Sequence, residues 1–316
     1  MLLRGLRWGL AGVLVAWTLT RVLGLESGWP LVPMLAATPI VAAIAVLMTL
    51  AALLERRFLL ALLTALCAAV LVVTIAPRAI PDRAPDDAAG VRLRVLAANV
   101  AGNPGAAGEV VALARELRPD VIAVLELSPA VERAYENAGI ADVLPEQVLR
   151  PLPGFAGSGL YARVPLRAQA GPRTLFATAA AVASPRGAAP VEILAVHARA
   201  PTGPDETRIW RADLRALPAG GPLRILAGDF NATLDHAELR ELLDRGYRDA
   251  AEQAGNGLRP TWTMERNLLP PLVTIDHVLA DRRVRVASAR IVSIPGSDHR
   301  GVFAELVLPD ADRGGG

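Results

Sequence analysis

The chain has 316 residues, of which 53% are hydrophobic and 20% are charged, and its mean hydropathy is +0.36. This composition excludes an intrinsically disordered chain and an ordinary, fully soluble protein. The single cysteine, Cys67, excludes an intrachain disulfide and a cysteine-based zinc site. The net charge of +2 divides into +3 over residues 1–76 and −1 over the remainder. A C-terminal part so close to neutral argues against a large nonspecific nucleic-acid footprint.

Three apolar runs open the chain, at about residues 8–25, 31–54 and 58–76. The second and third carry no charge over 24 and 19 residues, and a helix needs ~20 apolar residues to cross the hydrocarbon of a bilayer. The first run contains Arg21 near its end, which we expect to extend to the lipid headgroups. A signal peptide is an alternative for the first run, with Arg4 and Arg7 as its basic start. We predict that residues 1–76 form three transmembrane helices.

The placement of arginine predicts the orientation of these helices, because cytoplasmic loops carry an excess of basic residues. Arg4 and Arg7 precede the first span, and the Glu-Arg-Arg segment 55–57 joins the second span to the third. Both sets are therefore expected in the cytoplasm, and three spans place everything after Pro77 outside it. The sequence thus predicts a multi-pass protein of the cell membrane with an extracytoplasmic C-terminal domain.

The pattern changes after the third span. Residues 77–90 are rich in Pro and Asp and are predicted to form an exposed linker. Residues 91–309 alternate short apolar strands with polar helical stretches and are predicted to form one domain. The tail, residues 310–316, is predicted to be disordered.

Strands outnumber helices in the predicted domain. Strands are predicted at Val91–Val100, Asp120–Leu125, Gly159–Ala162, Thr174–Ala183, Val191–Val196, Leu223–Ala227, Ile275–Leu279, Arg283–Ile291 and Val302–Leu308. Helices are predicted at Glu109–Leu117, Asp205–Leu217 and Asp235–Arg245. This pattern favours two packed sheets with helices outside them.

Polar side chains interrupt the apolar strands near their ends. They are Asn99, Glu126, His197, Asp229 with Asn231, Asp276 with His277, and Asp298 with His299. Each could be a turn former, a cap or a buried structural group, but rigid scaffolds place chemistry at strand ends. His277 alternates to the opposite face from Asp276 and is interpreted as structural. His236, at the start of a predicted helix, is interpreted as a surface residue.

Carboxylates and amides are hard oxygen donors that suit Mg²⁺ or Mn²⁺. Glu126 and Asp298 are the natural ligands in this set. Mg²⁺ usually takes one or two carboxylates and keeps several waters, which matches the modest number of acids. The set therefore predicts metal-assisted attack on a phosphate ester.

The remaining groups suit the other tasks of that reaction. Asp229 can orient or deprotonate water, and Asn231 can donate its amide to a phosphate oxygen. His197 and His299 can bind the phosphate or protonate the leaving group. Asp276 can orient an imidazole, as carboxylates do in other histidine-dependent sites.

These residues, taken in chain order, resemble the endonuclease/exonuclease/phosphatase superfamily. The resemblance covers residues 91–309 and rests on Asn99, Glu126, GSGLYARVPL (157–166), His197, GDFN (228–231), IDH (275–277) and SDH (297–299). It implies a four-layer α/β sandwich, in which helices flank two mainly antiparallel sheets, and divalent-metal hydrolysis of a phosphoester. Some members carry an acid two residues after the first asparagine. This chain has Ala101 there, which leaves open whether one or two metal ions bind.

The resemblance also implies roles for individual residues. It places Asn99, Glu126 and Asp298 at the metal, with Mg²⁺ or Mn²⁺ as the cofactor. Catalytic or phosphate-binding roles are implied for His197, Asp229, Asn231, Asp276 and His299. Among these, Asp276 is paired with His299, which is the general acid–base or phosphate-stabilising residue.

The sequence therefore supports the hypothesis of a membrane-anchored, metal-dependent phosphoesterase. Its substrate is a nucleic acid, a lipid headgroup or a small molecule, and the residues do not decide between these. The alternative is a catalytically inactive domain that binds or scaffolds at the membrane. A transporter is disfavoured because three spans without a buried acid or a broken helix make a poor pore.

Overall fold

A computed structural model describes residues 2–82, 90–263 and 273–310. Within these residues, three long N-terminal helices join a domain of two β-sheets. Half of the predicted linker, residues 83–89, and most of the predicted disordered tail, residues 311–316, lie outside the described part of the chain.

The N-terminal helices are long and apolar. They are α1 (Leu2–Leu23), the short α2 (Leu31–Met34) with a 3-10 turn (Leu35–Ala37), α3 (Thr38–Leu54) and α4 (Phe58–Ile75). The stretches Arg4–Leu23, Leu31–Leu54 and Phe58–Ala79 have mean hydropathies of 1.2, 2.3 and 2.8. By length and composition, each could cross a membrane.

The helix bundle has two distinct ends. Its interior is packed with small residues such as Ala45 and Ala68, which allow close approach of the helices. At one end Arg7 forms an ion pair with Glu55 in the turn between α3 and α4. The other end, where α1 and α4 finish, rests against the β-sheet domain.

The domain contains two six-stranded sheets. The first is built from β1 (Val91–Asn99), β2 (Val121–Leu125), β3 (Glu146–Arg150), β4 (Ser158–Ala162), β11 (Arg285–Ser293) and β12 (Arg300–Leu308). The second is built from β5 (Leu166–Gln169), β6 (Ala179–Ala183), β7 (Val191–His197), β8 (Arg224–Asp229), β9 (Tyr247–Asp249) and β10 (Asp276–Asp281). Their orders are β11-β12-β1-β2-β4-β3 and β5-β6-β7-β8-β10-β9. The pairs β1–β2 and β7–β8 are parallel, and the other pairs are antiparallel.

Alternation along the strands builds three apolar layers. Leu93, Val95 and Ala97 point into the core between the sheets, while Leu96 and Ala98 point outward. The outer face of the first sheet is covered by α5 (Ala106–Leu117) and α6 (Pro129–Asn137), and that of the second by α7 (Pro204–Ala216) and α8 (Ala237–Asp244). A last short helix, α9 (Ala250–Gln253), follows β9. The predicted four-layer α/β sandwich is confirmed.

Some predicted elements differ from the observed ones. The strand predicted at Thr174–Ala183 begins only at Ala179. The Thr174 hydroxyl donates to the Phe176 carbonyl instead and holds the preceding residues in a loop. Helices α6 and α9 and strands β3, β5 and β9 were not predicted.

Two arginines at the domain boundary were expected to be exposed but are buried. Arg21 Nε donates to Asp235 Oδ1 at 2.7 Å, and Arg78 donates to both Asp235 oxygens at 2.7 and 2.9 Å. Arg21 therefore does not extend to lipid headgroups, and Arg78 is not part of an exposed linker. We call Arg21, Arg78 and Asp235 the charged junction.

His236 was expected on the surface but is also buried at this boundary. Its Nδ1 accepts from the Thr233 amide at 2.9 Å, so its Nε2 donates to the Val32 carbonyl at 2.8 Å. Val32 packs among the side chains of the helix layer on the second sheet. The N-terminal helices are thus joined to the domain by both polar and apolar contacts.

Candidate active site

Adjacent strand ends bring the predicted residues together at one edge of the sandwich. Strands β1 and β2 run parallel, so Asn99 at the end of β1 lies beside the end of β2, which Glu126 follows. His197 pairs with Asp229 across parallel β7 and β8, and Asp229 pairs with Asp276 across antiparallel β8 and β10. The sheet registers therefore account for most of the assembly.

A pocket of about 350 Å³ opens at this edge. Six of the eight predicted residues line it: Glu126, His197, Asp229, Asn231, Asp298 and His299. The other two are buried directly behind them. Asn99 Nδ2 donates to Asp229 Oδ2 at 3.1 Å, and Asp276 accepts from His299. The structure thus brings all eight together, while their individual roles stay predictions.

The centre of the pocket is an imidazole between two carboxylates. His299 Nδ1 lies 3.0 Å from Asp276 Oδ2, and His299 Nε2 lies 3.8 Å from Asp229 Oδ2. Asp276 is itself fixed, since its backbone amide donates to the Thr261 hydroxyl at 3.1 Å. The imidazole is therefore oriented by Asp276 and presents Nε2 towards Asp229.

The electrostatic environment favours a charged His299. Burial lowers the pKa of His299, but attraction to Asp276, a hydrogen bond with Asp276 and attraction to Asp229 outweigh it and raise the pKa to about 10. Burial and the neighbouring Asp276 raise the pKa of Asp229 above its usual range. The raised pKa of Asp229 brings its proton exchange towards neutral pH, as acid–base work requires.

His197 is held differently. Its Nδ1 lies 3.1 Å from the Phe155 carbonyl, which can only accept, so Nδ1 donates. Burial and the nearby His299 lower the pKa of His197 to about 4. The neutral ring then presents an Nε2 lone pair 3.8 Å from Asp229 Oδ2, and it can donate to a phosphate only after taking up a proton.

A second group of donors suits a hard cation. Asp298 Oδ1 is buried and has no hydrogen-bond partner among the described residues. Burial raises the pKa of Glu126, and repulsion from Asp298 contributes to the increase. Asn99 Nδ2 lies 3.4 Å from Glu126 Oε1. An orphaned buried carboxylate oxygen beside a second carboxylate fits a divalent cation, which would satisfy both.

A different group of three also has metal-binding proximity. One ligand atom from each of Asp229, Asp276 and His299 lies within 4.8 Å of the others. This set differs from the predicted Asn99, Glu126 and Asp298. We favour the predicted set, because His299 and Asp276 already satisfy each other by hydrogen bonding, whereas an oxygen of Asp298 lacks a partner.

The GDFN segment has the backbone shape that the pocket needs. Gly228 has φ +148°, and a Cβ there would lie 2.0 Å from the Val196 carbonyl oxygen, so only glycine fits. Asn231 adopts a left-handed conformation at φ 47°. Its backbone amide donates to Asp229 Oδ1 at 2.8 Å, and its Nδ2 donates to the Ala198 carbonyl at 2.9 Å. Within the described residues, the second Nδ2 hydrogen of Asn231 has no partner and remains for a ligand.

Several residues that shape the site were not assigned roles from the sequence. Ser297 Oγ donates to the Asn99 carbonyl and accepts from the His299 amide. The serine that begins the SDH motif was the feature of the sequence that could have indicated this role. Phe155, Phe176 and Trp262 form an aromatic wall of the pocket. They lie in loops, where no periodic pattern identifies them.

Four arginines lie near the motifs along the chain: Arg199, Arg208, Arg259 and Arg266. Arg199 lines the pocket, with its guanidinium 5.8 and 5.9 Å from the ring centres of Phe155 and Phe176. Arg208 pairs with Asp205 at an exposed position on α7. Arg259 does not line the pocket, and Arg266 lies outside the described residues.

Comparisons with known proteins agree with this geometry. Residues 96–299 match the model of the Endonuclease/Exonuclease/phosphatase family, which is more than half of the chain. A comparison with curated protein sequences finds no match.

Solved structures share the fold. An endonuclease/exonuclease/phosphatase from Beutenbergia cavernae is 20% identical, with 70% of this chain and 72% of that chain covered and a TM-score of 0.56. D. rerio TDP2 complexed with a single-strand DNA product is 18% identical, with 68% and 98% covered and a TM-score of 0.52. The 3′ phosphatase NExo from Neisseria bound to a product DNA hairpin is 17% identical, with 67% and 98% covered and a TM-score of 0.52. The chain therefore belongs to the endonuclease/exonuclease/phosphatase family and is a metal-dependent phosphoric ester hydrolase.

Proposed function

We propose that the protein is a membrane-anchored phosphoesterase that hydrolyses a phosphodiester or phosphomonoester in the pocket around His299. The observation that carries this proposal is the convergence of eight polar residues from six strand ends on one pocket. The acid–base groups and Asp298 line the same pocket, and Asp298 Oδ1 has no hydrogen-bond partner within the described part of the chain.

The cation belongs with Asn99, Glu126 and Asp298 in this proposal, as Mg²⁺ or Mn²⁺. When bound there, it would polarise the phosphoester and offset the charge that develops on its oxygens. Asn99 also donates to Asp229 and so ties the metal side of the pocket to the acid–base side.

The acid–base side would handle water and the leaving group. Asp229 is placed to orient water and to accept its proton, because its raised pKa makes protonation favourable near neutral pH. The charged His299 stabilises the phosphate or protonates the leaving oxygen, and Asp276 orients it. The free amide hydrogen of Asn231 can bind a phosphate oxygen.

Anchoring is proposed through the three apolar N-terminal helices, in the orientation that places the C-terminal domain outside the cytoplasm. The antiparallel bundle supports one element of that topology. Arg7 and Glu55 meet at the end of the bundle away from the domain, so both predicted cytoplasmic segments lie on one side.

The test uses the full chain purified in detergent, with bis(p-nitrophenyl) phosphate as the substrate and Mg²⁺ or Mn²⁺ added. We expect hydrolysis that EDTA abolishes and that Asp229→Asn lowers by about 10³-fold or more. Asp244→Asn, at an exposed position on α8, is the matched control and should keep the wild-type rate. Hydrolysis that survives both EDTA and Asp229→Asn would overturn the proposal.

Two other functions give different results in the same preparation. A nuclease, favoured by the fold neighbours solved with DNA products, would nick plasmid DNA at a rate exceeding its hydrolysis of small esters. An inactive binding domain would show no hydrolysis, and its melting temperature would not respond to millimolar Mg²⁺ or Mn²⁺.

A further inference from the structure

The end of the N-terminal helix bundle that contacts the domain is held there by buried ion pairs. Asp235 is 1% exposed, and it accepts hydrogen bonds from both Arg21 near the end of α1 and Arg78 just after α4. Glu26 accepts from the Ala237 backbone amide at the start of α8. Buried ion pairs of this kind hold one geometry, because separating them leaves uncompensated charge.

The charged junction lies close to the pocket along the chain. Asp235 is four residues beyond Asn231, and an extended chain covers at most ~3.5 Å per residue, so their Cα atoms are within ~14 Å. The segment that leads into β10 also lies next to the N-terminal helices. Thr274, two residues before Asp276, lines a small cavity together with Ala36 and Pro39 of the N-terminal helices.

The bilayer surface would therefore lie beside the pocket. The apolar span Arg4–Leu23 contains 20 residues, about 30 Å of helix and enough to cross the hydrocarbon. Arg21 is at the domain end of that span, so the headgroup layer, roughly 5–8 Å thick, begins near the charged junction. In this placement, Asn231 of the pocket would lie within ~14 Å of the residue that begins the headgroup layer.

Exposed apolar side chains lie at one side of the pocket and next to it along the chain. Phe155 lines the pocket, and Leu152 and Leu175 are close in sequence to the lining residues Phe155 and Phe176. We call Leu152, Phe155 and Leu175 the apolar rim. Leu152, Phe155 and Leu175 are 41%, 50% and 54% exposed, and the Phe155 ring packs against Phe176 at 5.6 Å, where both line the pocket. Large apolar side chains grouped beside a site indicate a surface that contacts something apolar. The apolar N-terminal helices, which contact the domain near the pocket, favour a bilayer as that apolar partner.

The charge of the pocket disfavours a polyanion. Arg199 is the single arginine among the described pocket-lining residues, and residues 77–316 carry 28 arginines against 29 acids. A nucleic acid needs a basic surface that neutralises many phosphates. One guanidinium is sufficient for one phosphate group.

We propose that the substrate is a phosphoester carried by a membrane lipid and bound at the bilayer surface, an inference that rests on the proposed function. The pocket receives the headgroup phosphate, with Arg199 as the pocket's cation for it. Leu152 and Leu175 contact the apolar part of the same lipid layer. Water attacks phosphorus, the P–O bond to the diacylglycerol oxygen breaks, and that oxygen takes a proton from the attacking water, so the phosphorylated headgroup is released into solution.

The test uses the full chain reconstituted in vesicles of phosphatidylcholine, phosphatidylethanolamine, phosphatidylglycerol and phosphatidic acid in equal parts. Release of water-soluble phosphorus is compared with hydrolysis of the deacylated glycerophosphate esters, a single-stranded oligonucleotide and bis(p-nitrophenyl) phosphate. We expect the lipids to be hydrolysed at least about tenfold faster per phosphate than the deacylated esters, because enzyme and lipid share one surface.

The variant Leu152→Ser/Leu175→Ser isolates the apolar rim. It should lower lipid hydrolysis about three- to tenfold and leave hydrolysis of bis(p-nitrophenyl) phosphate unchanged, while Leu152→Met/Leu175→Met keeps both. A faster oligonucleotide or deacylated ester, an unaffected serine variant, or hydrolysis of bis(p-nitrophenyl) phosphate without phosphorus release from vesicles would each overturn the lipid proposal alone. Loss of metal-dependent hydrolysis on all substrates would overturn the proposed function beneath it.

Discussion

Two histidine–aspartate pairs meet on strand β10 and face opposite ways. Asp276 points to the pocket and holds His299, whereas His277, the next residue, donates from Nδ1 to Asp249 at 2.7 Å and from Nε2 to the Ala232 carbonyl at 2.8 Å. Alternation of side chains along a strand separates them. The His299–Asp276 pair therefore belongs to the site, and the His277–Asp249 pair belongs to the domain interior. This agrees with the structural role that strand alternation predicted for His277.

Replacing Asp276 tests the orientation of His299. In Asp276→Asn the imidazole loses its charged partner, so we expect kcat on bis(p-nitrophenyl) phosphate to fall about 10²- to 10⁴-fold and the pH–rate profile to shift towards acid. Asp281→Asn, at the far end of β10 where Asp281 pairs with Arg283, should keep the wild-type kcat and profile. An Asp276→Asn variant with the wild-type rate would remove Asp276 as a positioning residue.

The second pair predicts a pH-dependent stability. Burial lowers the pKa of His277, but attraction to Asp249 outweighs it and raises the pKa above 6.5. The stabilisation by the His277–Asp249 pair is therefore complete below pH 6.5. It is lost as the pH rises through the pKa of His277 in the folded protein. We expect His277→Gln to lower the free energy of unfolding by about 2–4 kcal/mol near pH 6 and by less in alkali.

His236 is the matched control, because its shift has the opposite sign. Burial lowers the pKa of His236. The contribution of His236 to stability is therefore complete above pH 6.5 and is lost as the pH falls through its pKa in the folded protein. Denaturant unfolding of the full chain in detergent measures both. An effect of His277→Gln that grows with pH would contradict the assignment.

At the scale of elements, strand β8 and its following turn decide the geometry of the site. Gly228 lies at φ +148° against the Val196 carbonyl, and this close approach sets Asp229 opposite both His197 and Asp276. We expect Gly228→Ala to lower the free energy of unfolding by roughly 3 kcal/mol or more, measured by denaturant titration. Gly108→Ala, in α5 with open space at its Cβ, should be neutral or stabilising. Equal effects of the two variants would contradict this account.

Most of the elements that the sequence predicted are buried ones, although the predicted strand β11 lies at a sheet edge. Central strands such as β2 and β7 are apolar runs, and α7 alternates apolar and charged faces, so both patterns are visible. The missed strands β3 and β5 lie at sheet edges with mostly exposed side chains. Edge strands do not need an apolar pattern. Helix α6 carried a local signal, since Ser128 caps it and Pro129 occupies its first turn.

The candidate site was predictable for a related reason. Its eight residues interrupt apolar strands, where a buried acid or amide is conspicuous. The loop residues Phe155, Phe176 and Arg199 reach the pocket through contacts between distant segments, so no local spacing identifies them. The charged junction was missed for the same reason, because Arg21 and Asp235 are 214 residues apart.

At the scale of the whole molecule, that junction makes the helices and the domain one unit. In Asp235→Ala, Arg21 and Arg78 would remain buried without their carboxylate. We expect a loss of about 3–5 kcal/mol in the free energy of unfolding in detergent. Asp142→Ala, away from the junction, should change it by less than about 0.5 kcal/mol. An equally small effect of Asp235→Ala would show that the junction contributes nothing to stability.

We propose that one pocket holds a divalent cation beside its acid–base groups. The most direct test is the Mn²⁺ dependence of bis(p-nitrophenyl) phosphate hydrolysis by the full chain and by Glu126→Gln, with the exposed Glu241→Gln as control. We predict that half-maximal activity in Glu126→Gln requires about 10- to 100-fold more Mn²⁺, while Glu241→Gln matches the wild type. Identical Mn²⁺ curves for all three proteins, or activity without any divalent cation, would contradict the account.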